Sequence, residues 1–80
     1  MRMMLVGAGA VGESMVKILQ WRDPRGEWLE YVLVCDFDAA RARQVVDMLH
    51  GDDRFTAGQV DATDTEKIAA IAREHAIDFI

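Results

Sequence analysis

Six residues near the start of the chain, Gly7-Ala8-Gly9-Ala10-Val11-Gly12, set three glycines at the spacing G-x-G-x-x-G. They follow the apolar run Met3-Met4-Leu5-Val6 and open a stretch of helical periodicity. In that setting each glycine has its own physical task. Gly7 permits a tight turn out of the strand. Gly9 has no Cβ, so the backbone can approach a pyrophosphate closely. Gly12 lets the helix pack tightly on the sheet. The free N–H groups of the first helical turn, around Ala10 and Val11, and the positive end of the helix dipole then face the phosphates. The chemistry implied is dinucleotide binding. An acidic residue, Asp36, closes the next apolar run, Tyr31 to Cys35, 24 residues after Gly12. A carboxylate there can accept charge-assisted hydrogen bonds from the hydroxyls of an adenosine ribose. The loop from Asp23 to Glu30 accounts for the slightly long separation. Phe37 can pack on the adenine face. Asp61-Ala62 falls at the end of a third strand, where the adenine edge would sit, and Asp61 can accept from the adenine amino group. Capping of the following helix is the other reading of this segment for Thr63 and Asp64.

These residues must be held by strands and helices in strict alternation. Met3 to Val6 and Tyr31 to Cys35 are continuous apolar runs, the pattern of parallel strands covered on both faces. Val11, Met15, Ile18, Leu19 and Arg22 predict one face of a helix from Ala10 to Trp21, stopped by Asp23-Pro24-Arg25-Gly26. Trp21 and Trp28 are expected to pack over the helix–strand edge. Asp38 is an N-cap for a second helix with Ala42, Val45, Val46 and Leu49 inward. Phe55 to Val60 makes a third strand. Thr63 and Glu66 have capping-box spacing for a third helix, with Ile68, Ile71, Ala72 and His75 inward. Ile77-Asp78-Phe79-Ile80 begins a fourth strand. The order β-α-β-α-β-α-β predicts an α/β fold of Rossmann type: the first half of a doubly wound parallel sheet, strand order 3-2-1-4, in one unit over residues 1–80. A chain that ends inside a strand is expected to be part of something longer. Its open sheet edge is expected to drive self-association or homo-oligomer formation.

Composition narrows the field further. The 80 residues are 51% hydrophobic and 29% charged, with 14 acidic against 9 basic side chains and a net charge of -5. That balance argues against nucleic acid, which needs a basic face, and against a polybasic membrane anchor. No apolar run is long enough to span a bilayer. The single cysteine, Cys35, excludes an internal disulfide and any CxxC motif, and makes a reducing cytoplasm the expected compartment. Cys35 lies inside an apolar strand and reads as a core residue rather than a nucleophile. His50 and His75 sit at helix ends with no partner at metal-ligand spacing. No nucleophile–base pair is apparent, so the expected site binds a cofactor and holds no catalytic residue and no metal.

The run Met4-Leu5-Val6-Gly7-Ala8-Gly9-Ala10-Val11-Gly12, the strand end Cys35-Asp36-Phe37-Asp38, the segment Gln59-Val60-Asp61-Ala62-Thr63-Asp64 and the later His75-Ala76-Ile77-Asp78-Phe79-Ile80 resemble the N-terminal cofactor domain of the saccharopine dehydrogenase family. The resemblance covers nearly the whole chain, and its most specific part is the combination of these segments. It implies an NAD- or NADP-dependent oxidoreductase acting at carbon–nitrogen bonds of amino-acid-derived substrates such as saccharopine, lysine or carboxynorspermidine. The family's substrate domain has no counterpart in these residues. Many relatives carry a basic residue where Phe37 stands, which makes NAD the expected preference over NADP. Arg41 and Arg43, in the first turns of the second helix, are the counter-argument, since a flexible arginine can reach a 2′-phosphate. On the NAD reading, loss of Arg41 leaves NADH binding nearly unchanged. Two rival readings are a non-catalytic nucleotide-sensing module of the kind that gates potassium transport, and a methyltransferase-type domain. The first typically has Gly-Asp-Ala where this chain has Val60-Asp61-Ala62. The second needs G-x-G-x-G, and here Val11 occupies the third glycine's place.

Overall fold

A computed structural model describes all residues from Met1 to Ile80. Three parallel strands alternate with three helices: β1 (Arg2–Val6), α1 (Ala10–Arg22), β2 (Tyr31–Asp36), α2 (Ala39–Asp47), β3 (Phe55–Gln59) and α3 (Thr65–Glu74). The sheet runs β1-β2-β3, with Val6 beside Cys35 and Asp36 beside Gln59 at the carboxyl ends. β2 is central and covered on both sides. Its alternation sends Val32 and Val34 into a cluster with Val16 of α1 and Val45 of α2. Leu33 and Cys35 join Met4 and Val60 in a second cluster, against which Ile68, Ile71 and Ala72 of α3 pack. Burial pushes the Cys35 thiol pKa up, which keeps it protonated and unreactive.

Asp38 caps α2 as expected, accepting from the Ala40 N–H at 2.9 Å. One further expectation is met only in part, and three are corrected. The expected fourth strand is reduced to one parallel bridge, Met3 to Phe79. The N–H groups of Asp78 and Phe79 both donate to the Arg2 carbonyl, and Met4 N–H donates back to the Phe79 carbonyl, while Arg2 N–H is taken by the Asp78 carboxylate at 2.8 Å and not by a backbone carbonyl. Two donors spent on one acceptor do not propagate a ladder. The face of α1 is also shifted. Gly12 and Val16 are its buried residues, while Val11, Met15 and Ile18 are exposed. Trp21, expected over an edge, is 78% exposed. The cap of α3 is Asp64, whose carboxylate accepts from Lys67 N–H, whereas the Thr63 hydroxyl turns back to Asp61.

The loop between α1 and β2 is organised by a buried carboxylate that the sequence presents only as a helix stop. Asp23 is 3% exposed and accepts from the N–H groups of Glu27, Trp28 and Leu29 at 2.8, 3.0 and 2.7 Å. Arg54 donates to the Asp23 carbonyl and pairs with Asp52 at 2.7 Å. Burial works to raise the Asp23 pKa, yet the three N–H bonds and the nearby guanidinium hold it below its ordinary value. Hydrogen bonding to Arg54 takes Asp52 down to about 2. A carboxylate depressed in the folded state contributes its full stability above its unfolded pKa and loses it as pH falls through the folded one. Stability should therefore be flat above about pH 5 and fall steadily toward pH 2. Asp52 supplies roughly 1–2 kcal/mol of that loss once solvent screening is allowed for. Urea unfolding at pH 7, 4 and 2.5 checks this, and Asp52→Asn should flatten the acid limb. A stability that rises on acidification contradicts it.

Candidate functional site

The glycine turn leaves β1 at its carboxyl end and enters α1. Gly7 has φ +104°, a conformation that side-chain-bearing residues rarely adopt, and its N–H donates to the Cys35 carbonyl at 2.8 Å. A Cβ on Gly12 would run into the Gly7 carbonyl oxygen and lie 3.3 Å from the Leu5 side chain, so glycine there sets how closely α1 meets the turn and β1. Gly9 differs from both. Its φ of −73° and ψ of −167° are open to any residue, and a Cβ added there would meet nothing within 4 Å. The fold places no demand for glycine at this position.

Gly9 is also the N-cap of α1, and no side chain caps this helix, whereas Asp38 and Asp64 cap the other two. The first bond of α1 runs from Glu13 N–H to the Gly9 carbonyl at 2.8 Å. The N–H groups of Gly9, Ala10, Val11 and Gly12 find no acceptor within the chain. Four donors at the positive end of a 13-residue helix lie beside a position with no side chain to obstruct them.

Asp36 stands at the end of β2 next to this turn. Its Oδ2 accepts from Ala8 N–H at 2.7 Å and its Oδ1 from Asp38 N–H at 2.9 Å. These two bonds, Ala8 first, hold its pKa below the usual carboxylate range, so it is ionised at neutral pH. An ionised carboxylate has about four acceptor positions, so two bonds leave capacity for hydroxyl donors. The sequence reading placed Asp36 toward a ribose alone. The structure gives it a further task, fastening the turn to β2.

Phe37 follows, 72% exposed, its carbonyl held by the Gln59 side chain at 3.0 Å. Val60 N–H donates to the Asp36 carbonyl at 3.1 Å, which draws the end of β3 alongside Asp36. Asp61 and Ala62 come next and are exposed. One Asp61 oxygen accepts from both the Thr63 hydroxyl and the Thr63 N–H, which lowers its pKa. Its other oxygen has no partner within the chain. All nine residues read from the sequence as cofactor-contacting thus lie at or just beyond the carboxyl ends of the three strands.

Two residues of this region were missed or misplaced by the sequence reading. Arg41 does not reach outward: its Nε donates to the Ala8 carbonyl at 2.6 Å, Nη2 meets Glu13 at 3.1 Å and Nη1 meets Gln44 at 3.1 Å. Glu13, in the first turn of α1, is paired with both Lys17 and Arg41, which hold its carboxyl below the ordinary value. Its charge at the first turn of α1 is thereby offset.

A three-stranded parallel sheet with α1 and α2 on one face, α3 on the other, and a glycine turn at the carboxyl end of β1 defines a small α/β protein consistent with half of a Rossmann-like fold. No protein-family model matches the chain. No helix is long and apolar enough to cross a membrane.

Proposed function

We propose that this chain is the NAD-binding portion of an oxidoreductase similar to the saccharopine dehydrogenases, acting at carbon–nitrogen bonds of amino-acid-derived substrates. Gly9 carries the cofactor part of this reading. Gly7 and Gly12 are required by backbone conformation and packing, but Gly9 is required by neither, and the space beyond it adjoins four free N–H donors. A dinucleotide pyrophosphate fits that space and those donors. Gly7 to Gly12 would hold the pyrophosphate, Asp36 the adenosine ribose, and Phe37 with Asp61-Ala62 the adenine. When bound, the dinucleotide would supply hydride transfer from its nicotinamide; the residues of this chain would hold its pyrophosphate and adenosine. In the same reading the Met3–Phe79 bridge is the seed of a fourth strand, which gives the order 3-2-1-4.

NAD is favoured over NADP on two grounds. A 2′-phosphate would remove a hydroxyl donor from Asp36 and set its charge against the carboxylate, and Arg41 is engaged elsewhere. A hydrogen bond to a charged group is worth ~1.5–3 kcal/mol, so NADH should bind at least about tenfold more tightly than NADPH. Paired calorimetric titrations on the native chain and on Asp36→Ser test this, and the serine variant should narrow or reverse the preference. ATP belongs in the same series. ATP binding tighter than NADH would favour a nucleotide sensor over a dehydrogenase part, and no binding of any of the three would remove the reading altogether.

A further inference from the structure

We propose that Arg41 is a positioning residue for the nucleotide site, acting through the Ala8–Gly9 peptide to aim the Gly9 N–H at the ligand. This rests on the dinucleotide reading above and adds to it a residue outside the glycine turn. The geometry is specific. A trans peptide is planar, with its C=O and N–H pointing in opposite directions. Arg41 Nε holds the Ala8 carbonyl at 2.6 Å, so the N–H at the other end of that plane, which belongs to Gly9, is directed away from Arg41 and has no partner within the chain. The preceding N–H, that of Ala8, is held by Asp36 at 2.7 Å. Two successive peptide planes of the turn are therefore fastened, one by a carboxylate on its N–H and the other by a guanidinium on its C=O.

Such fastening matters because of the turn's composition. Gly7 and Gly9 flank Ala8, and glycine populates more backbone conformations than any other residue, so unaided this segment could rotate its peptide planes freely. Arg41 is itself pre-oriented: Glu13 on α1 and Gln44 one turn further along α2 each take one of its terminal nitrogens. A planar guanidinium fixed at three nitrogens allows the Ala8 bond little freedom. The same contacts occupy the groups that a 2′-phosphate would need, so Arg41 serves NADH and NADPH alike instead of discriminating between them.

The test is calorimetric titration of NADH and NADPH into the native chain, Arg41→Met and Arg41→Lys, with amide hydrogen exchange of Ala8 measured by NMR on the same samples. The Arg41–Ala8 contact replaces the expectation from sequence that loss of Arg41 leaves NADH binding nearly unchanged: Arg41→Met should weaken both cofactors by the same factor, about tenfold, and speed exchange at Ala8 while leaving exchange in β2 unchanged. Arg41→Lys, whose ammonium can still reach one carbonyl, should recover part of the loss. Loss of NADPH binding alone would make Arg41 a phosphate clamp and overturn the proposal, as would unchanged affinity for both. If Arg41→Met unfolds, Glu13→Gln tests the same linkage from its other anchor, with both cofactors expected to weaken about threefold; no change there counts against the proposal. If the native chain binds neither dinucleotide, the cofactor reading fails by itself. Ala8 exchange then decides the positioning role, and an unchanged rate in Arg41→Met overturns it.

Discussion

Replacing Gly9 with valine should abolish NADH binding, a loss of a hundredfold or more, while the chain stays folded. The two halves of that expectation come from separate observations. Stability is preserved because the Gly9 backbone is extended and a Cβ there touches nothing. The cost is confined to a poorer N-cap, about 0.5–1 kcal/mol. Binding is lost because the isopropyl group would fill the space beside the free N–H groups of Ala10, Val11 and Gly12, keeping a pyrophosphate out of range. Gly9→Asp separates the halves further. Aspartate is among the best N-caps, and its carboxylate can take the N–H groups of Val11 or Gly12 while complementing the helix dipole. That variant should be slightly more stable than the native chain and should bind no NADH, since its own anion occupies the ligand's position. Thermal unfolding and calorimetry on the same preparations read both quantities. Unchanged NADH affinity in Gly9→Val would mean that the turn is purely structural.

How much of this was legible beforehand depended on whether residue types adjacent in sequence were enough to set the feature. The continuous apolar run of β2 and the Asp38 cap could be read directly, because burial on two faces and a cap bond two residues away are local patterns, whereas the equally apolar run of β1 is buried only at Met4. The face of α1 could not. Hydrophobic periodicity drew it through Val11, Met15 and Ile18, but the close contact is made at Gly12, which has no side chain for a periodicity to register. Asp23 was hidden for a related reason: its three partners are backbone N–H groups, which every sequence supplies. The direction of Arg41 depended on Glu13, 28 residues away, and on a carbonyl in the turn, so its place on α2 was readable and its task was not. At the site itself, the glycine spacing and Asp36 were visible as a pattern. That the fold demands two of the glycines and leaves the third free is a matter of φ and of space, and appears only in three dimensions.

Gly12 offers a test in which the sign of the effect decides. In an exposed helix interior, glycine to alanine stabilises by about 1 kcal/mol, because alanine is the better helix former and restricts the unfolded chain. At Gly12 the same change should destabilise, because the Cβ alone meets the Gly7 carbonyl oxygen, and no choice of rotamer can move a Cβ. To make room, α1 must retreat from β1 and the turn, which loosens the packing of Val16 and Leu19 against the sheet. Overpacking of this kind costs about 1–3 kcal/mol before the helix-propensity gain is subtracted. The net cost is then up to about 2 kcal/mol, so Gly12→Ala should lower the melting temperature, by up to about 15 °C. Gly12→Leu adds three more carbons near the Leu5 side chain and should cost about 3 kcal/mol or more. A chain of this length has a total stability on the order of 4–12 kcal/mol, and only 15 of its 80 residues are buried, which points to the lower end. The leucine variant should accordingly sit at the edge of unfolding at room temperature, with weak near-ultraviolet dichroism and a broad melt. Gly12→Ala more stable than the native chain would show that α1 can move away from the turn at no cost. The close helix–strand contact at Gly12 would then not be what demands glycine there.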